Sequence, residues 1–97
     1  MSMSKGARRK REILDVGLSV WRETPDRVNA SHIASLIGIT HGTIIYHYQT
    51  AEALRAAIAT HAVEQQDEIV VPMLIAANHP AIAALSDAER AGYLSKL

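Results

Sequence analysis

A chain of 97 residues suffices for one small domain with a modest core. Hydrophobic content of 48%, few Gly or Pro and no sustained strand alternation point to an all-α fold. The expected architecture is a small helical bundle of about five to six helices. The lack of Cys excludes disulfides, thiolate metal sites and a cysteine nucleophile. Net charge is zero, but it is unevenly spread. Residues 1–27 carry seven Lys/Arg against four Asp/Glu, residues 28–51 carry neither, and residues 52–97 carry three basic against six acidic side chains. A basic front and an acidic back orient a molecule in the field of a polyanion.

Residues 1–6 read as a flexible tail leading into a first helix from about Ala7 to Thr24. Lys5, Arg8, Arg9, Lys10 and Arg11 cluster at its start. Cations there oppose the helix macrodipole, so local stability does not explain them. Contact with DNA phosphates does, with an arm reaching toward the minor groove; the plainer alternative is a solubilising tail. Ile13, Leu14, Gly17, Leu18 and Trp21 form an apolar stripe at helical spacing. Gly17 in a helix interior costs about 1 kcal/mol relative to Ala, and a crossing helix at close range is the expected reason. Trp21 is expected in the core. Pro25 disfavours helix at Thr24, and Thr24 to Arg27 form a loop.

The central stretch, Val28 to Leu54, carries most of the functional information. Asn29 is a good N-cap for a second helix, Ala30 to Ile37, with Ile33, Ala34 and Ile37 facing inward. Gly38 ends it in a left-handed turn. Thr40 caps a third helix, His41 to about His47. Ile44 and Tyr48 are expected inside, with His41, Gly42, Thr43, Tyr46 and His47 outside. A surface helix ordinarily carries Lys and Glu, and this one has neither. Short hydrogen-bonding and aromatic side chains suit base edges and phosphate oxygens. The alternative is a buried polar corner of an ordinary bundle. Thr50 is the expected cap of a fourth helix, whose N-terminal amides face a phosphate.

The run Ile33-Ala34-Ser35-Leu36-Ile37-Gly38-Ile39-Thr40-His41-Gly42-Thr43-Ile44-Ile45-Tyr46-His47-Tyr48-Gln49-Thr50-Ala51-Glu52-Ala53-Leu54 resembles, without a gap, the helix-turn-helix of the tetracycline-repressor (TetR) family. That family reads roughly I-A-x-x-x-G-V-S-x-G-T-L-Y-x-H-F-x-S-K-E-x-L. The resemblance covers about residues 8–62. It implies a DNA-binding domain whose third helix enters the major groove. Ile45 stands where the family usually has Tyr, and Ala51 where it has Lys. Both family residues commonly touch the DNA backbone, and Tyr46 is the nearest substitute for the first. Full-length members carry a large inducer-binding part. Only about 40 residues follow the DNA-binding unit here, so no small-molecule pocket is expected.

The fourth helix is expected to run to about Val70, with Leu54, Ala57, Ile58, His61, Ala62 and Gln65 inward and Glu64, Asp67 and Glu68 pointing away from DNA. Ile69 to Ala77 is apolar on every side, and Pro72 either kinks the fourth helix or opens a fifth. An all-round apolar helix is buried somewhere, in a dimer interface or in the domain's own core. The dimer is the favoured expectation, through Ile69, Val70, Met73, Leu74, Tyr93 and Leu94. Asn78-His79-Pro80 breaks the helix again. Ser86-Asp87-Ala88-Glu89 is a capping-box pattern opening a last helix to about Leu97, with Ala88, Ala91, Leu94 and Leu97 along its apolar side.

The expected division is residues 1–50 for the basic arm and DNA-binding region and residues 51–97 for dimerisation, within a single compact domain. The expected function is a sequence-specific, double-stranded-DNA-binding regulator, a homodimeric repressor on a near-palindromic operator. The DNA-facing residues are Lys5, Arg8, Arg9, Lys10, Arg11, Asn29, Thr40, His41, Gly42, Thr43, Tyr46, His47 and Thr50. The other reading is a protein-interaction adaptor or antirepressor keeping the same shape. No enzyme activity is expected, because the central segment lacks the Asp or Glu that orients a base. No cofactor or metal is expected from the five His, whose spacing matches no ligand motif. Imidazoles gain charge as pH falls through the neutral range, so DNA affinity should rise from about pH 7.5 toward 6 if His41 or His47 meets phosphate. The longest apolar stretch is too short for a bilayer and no secretory signal is apparent, so a cytoplasmic protein without a membrane partner is expected.

Overall fold

The computed structural model describes residues 4–96. They form six α-helices and two 3-10 turns: α1 Lys5–Glu23, a turn at Pro25–Arg27, α2 Ala30–Ile37, α3 His41–His47, α4 Ala51–Glu64, α5 Val70–Ala76, a turn at Pro80–Ala84 and α6 Asp87–Leu94. The first three residues of the expected tail, and Leu97 of the expected last helix, lie outside the described residues.

Local capping sets most helix starts. Asn29 accepts the His32 amide, Thr40 the Thr43 amide and Thr50 the Ala53 amide, as their spacing predicts. Ser86 and Glu89 form the full reciprocal capping box. Gly38 ends α2 at φ 86°, a conformation that a side chain would strain. Ser4 accepts the Ala7 amide, so α1 begins at Lys5 and the expected tail is shorter than its six residues.

α1 packs against α2, α4 and α5; α3 lies on α2 and α6 on α5. Ile13, Ile33, Ile44, Leu54, Ile58, Val70, Val71 and Leu74 are fully buried between these layers. Trp21 is also core. Gly17 sits where three helices meet: a Cβ there would lie 2.9 Å from Ile58 Cγ1 and 3.4 Å from Ile33 Cδ1. Close approach of α4 is therefore the reason for glycine at this position.

The region after α4 departs from expectation. α4 stops at Glu64, and Gln66 turns left-handed at φ 55°. Asp67 then accepts the amides of Ile69 (3.0 Å) and Val70 (2.8 Å) and pairs with Arg22 of α1 at 2.6 Å. Thus Asp67 lies beyond the fourth helix, not on it. It is buried, and its carboxylate ties the start of α5 to α1. Pro72 sits in the first turn of α5, where a missing amide costs no intrahelical bond.

Two residues assigned to the dimer interface are also corrected. Val70 and Leu74 are 0% and 1% exposed, so they belong to the domain's own core. The helix buries one side of its apolar surface against α1 and α4. Ile69 (54% exposed) and Leu94 (43%) face outward, with Met73 and Tyr93 half-buried beside them. Ile82 of the second 3-10 turn and Leu85 just after it join the core. No described helix is long and apolar enough to cross a membrane.

Candidate nucleic-acid interface

The third helix hangs from one deep anchor. Ile44 is fully buried, while His41, Gly42 and Tyr46 are exposed and Thr43 and His47 half-buried. This matches the face predicted from spacing. Tyr46 stands out at 81% exposure, its ring edge-on to His47 at 5.1 Å between centroids. Ile45 is 36% exposed, adding an apolar edge to an uncharged surface.

The connection from α2 to α3 is the three residues Gly38, Ile39 and Thr40. The amides of Gly38 and Ile39 both donate to the Ala34 carbonyl, and Ile39 packs half-buried on the core. Thr40 Oγ1 accepts the Thr43 amide at 3.3 Å and lies 3.0 Å from Thr43 Oγ1. Asn29 accepts an amide and also donates from Nδ2 to the Arg27 carbonyl. The side chains of Asn29, Thr40 and Thr50 are thus engaged as caps before any ligand is considered.

The five cations at the front are not on an arm. Lys5, Arg8, Arg9, Lys10 and Arg11 all lie within the first two turns of α1. Arg9 pairs with Glu12 at 2.6 Å, and Arg11 with Asp15 at 3.2 Å. These contacts span one turn and are open to water, so they cost little to exchange for a phosphate. Lys10 Nζ sits 6.0 Å above the ring of Tyr48, the residue that closes α3. Burial pushes the Tyr48 hydroxyl above its ordinary pKa, so it stays a neutral donor. The start of α1 and the end of α3 border one open groove of about 570 Å³, lined by Gly6, Ala7, Lys10, Tyr46 and His47. A second groove, bordered by Ser31, His41, Ile45 and Ala51, joins the starts of α2, α3 and α4. Basic and uncharged elements from distant parts of the sequence thus meet on one face.

Residues outside this face hold it in position. Arg55 of α4 donates from Nη1 to the carbonyls of Pro25 (3.3 Å) and Val28 (3.2 Å), just before the Asn29 cap. Its guanidinium lies 4.6 Å over the Trp21 ring. His79 meets the same ring edge-on at 6.4 Å and accepts the Ala81 amide through Nδ1. His61, 4% exposed, has Nε2 at 2.7 Å from Asp15 Oδ1. Apart from the local His79–Ala81 bond, each of these partnerships links residues far apart in the chain, and spacing does not reveal them. The only hint was the inward register of His61 on α4. Among the described residues no three His, Asp or Glu side chains gather into a metal-sized cluster.

Comparison with known protein families, curated proteins and solved structures finds no match to the chain.

Proposed function

We propose that the chain is a sequence-specific, double-stranded-DNA-binding transcriptional regulator, acting as a homodimeric repressor. One observation carries this reading: the exposed, charge-free face of α3 lies across a shared groove from the cationic start of α1. α3 enters the major groove with His41, Gly42, Thr43 and His47 toward base edges. Lys5, Arg8, Arg9, Lys10 and Arg11 neutralise phosphates, and Tyr46 contacts the backbone. The amides at the start of α4 face a further phosphate, compensating in part for Ala51. Two copies on a near-palindromic site set the two α3 helices about 34–36 Å apart. The resemblance of Ile33 to Leu54 to the TetR pattern supports the same assignment.

A titration of duplex binding against salt tests it. Each neutralised phosphate should contribute about −0.9 to the slope of log K against log salt. Selection of bound sites from random duplex should return a two-fold pattern. Reversing Lys5, Arg8 and Lys10 should weaken all duplexes alike and flatten the slope, whereas His41→Ala should change sequence preference. If the two variants behave alike, the division between phosphate and base contacts is wrong.

Exposed Ile45 and Tyr46 favour one second reading, an adaptor or antirepressor that presents α3 to another protein. Such a protein would bind random duplex without a salt slope.

A further inference from the structure

The exposed side of α3 carries one wholly aliphatic side chain. Ile45 is 36% exposed, next to the fully buried Ile44 that anchors the helix. His41 lies one turn before it. Both border the groove between the starts of α2, α3 and α4, and no charged side chain among the described residues lines that groove. Gly42, three residues before Ile45, is exposed, and a Cβ there would meet no side chain nearer than Thr40 Oγ1, at 3.9 Å. Packing among the described residues therefore does not require glycine here, although glycine weakens a helix. It leaves open space beside Ile45 for a group from outside the chain. We infer that Ile45 is a specificity-determining residue: it packs on the C5-methyl group of a thymine, so that the bound site has an A·T pair at a fixed position beside α3. The inference rests on the DNA-binding reading and goes beyond it by naming the base.

The side chains present on α3 select this group. Forked hydrogen-bond pairs to guanine need Arg or Lys, those to adenine need Asn or Gln, and cytosine is read by Asp or Glu. α3 has none of these six. Gln49 comes after its C-cap, Tyr48, and Asn29 is already occupied as the cap of α2. The thymine methyl is the apolar group that major-groove edges offer, and an aliphatic side chain laid on it takes both out of water. Against a purine edge the same side chain would leave acceptors unpaired, and against cytosine it would find no methyl. Thymine is thus chosen by attraction and by exclusion of the other bases. A protein partner suits this surface less well. It would need a contiguous apolar core, whereas His41 and Gly42 neighbour Ile45 at helical spacing and the cationic start of α1 shares a groove with the same helix.

The test removes the methyl from the DNA and leaves the protein intact. A duplex selected from random sequence by the parent chain is remade with deoxyuridine in place of each fixed thymine in turn. At one position of each half-site the parent chain should then bind about fivefold more weakly. Ile45→Ala should bind the thymine and uracil duplexes equally, and Ile45→Val should keep part of the preference. Each ratio compares two duplexes with one protein preparation, so any loss of folded protein cancels. The inference is overturned if the selected site has no fixed A·T pair, if uracil costs the parent chain nothing at any position, or if Ile45→Ala keeps the full preference. In each of these cases the parent chain still binds duplex with a salt slope, and the DNA-binding reading stands. A parent chain that binds random duplex without a salt slope overturns both.

Discussion

α3 and α6 are surface helices of nearly equal length, seven and eight residues, but they are held in different ways. α3 sinks Ile44 completely into the core and closes on the half-buried Tyr48. Its remaining sides are then presented at a fixed angle, as a surface that reads another molecule requires. α6 buries no residue fully. It is kept in place by its capping box, by half-buried Tyr93 and by Arg90, whose Nη2 donates to the Ile82 carbonyl at 3.1 Å. The Arg90 Nε is buried without an acceptor among the described residues. The difference teaches that an anchor in the core gives a helix orientation, whereas caps give it only existence. α6 has apolar surface left to bury, and α3 has polar surface to offer.

Truncating the buried anchor of α3 and the exposed leucine of α6 should separate the two helices most sharply. Ile44→Ala should cost about 3 kcal/mol in global stability, with a correspondingly lower melting temperature. Leu94→Ala should cost no more than about 0.5 kcal/mol under conditions where the chain is monomeric. Equal losses would remove the distinction between anchored and capped.

The platform beneath α6 comes next. Burial alone would raise the Asp67 carboxyl, but the amides of Val70 and Ile69 and the Arg22 guanidinium outweigh it and hold the pKa below its ordinary value. A depressed folded-state pKa contributes stability that is present above the unfolded pKa and lost as pH falls through the folded one. Asp67→Asn should therefore lose about 2 kcal/mol at pH 7. The two urea-unfolding curves should draw together as pH falls below about 4. A constant gap through acid would assign the loss to shape and not to charge.

Ser86→Ala should remove about 1 kcal/mol, and only from α6. Amide exchange should quicken along Asp87–Leu94 and stay unchanged in α3. Gly17→Ala acts on α3 only indirectly, through α2. Higher helix propensity, about 1 kcal/mol, opposes the crowding of buried Ile58, for a net loss below about 1 kcal/mol in a thermal melt. A gain in stability would mean that Ile58 can move aside.

The two halves differ in how readable they are for the same reason. Asn29, Thr40, Thr50 and Ser86 each bond an amide three residues on, and Gly38 turns by itself. Such contacts lie within one turn, so residue type and spacing reveal them. The exposed face of α3 follows from the single inward register of Ile44. Around α5 the spacing is ambiguous, because a helix apolar on all sides has no preferred inward face. The Asp67 bond to the Val70 amide is equally local, but its pairing with Arg22 spans 45 residues, and no local spacing reveals that.

The order of helices, their caps, the glycine corner and the uncharged side of α3 were determined by the sequence alone, through hydrogen bonds and periodicities local to each segment. Tertiary structure alone decided that Val70 and Leu74 turn inward, that Asp15 meets His61, and that Arg55 closes the Pro25 and Val28 carbonyls. It also decided that the start of α1 shares a groove with the end of α3. Each of these depends on which surfaces the packed helices bring within a few ångströms. No local pattern specifies that distance, because it is set jointly by every residue in the core.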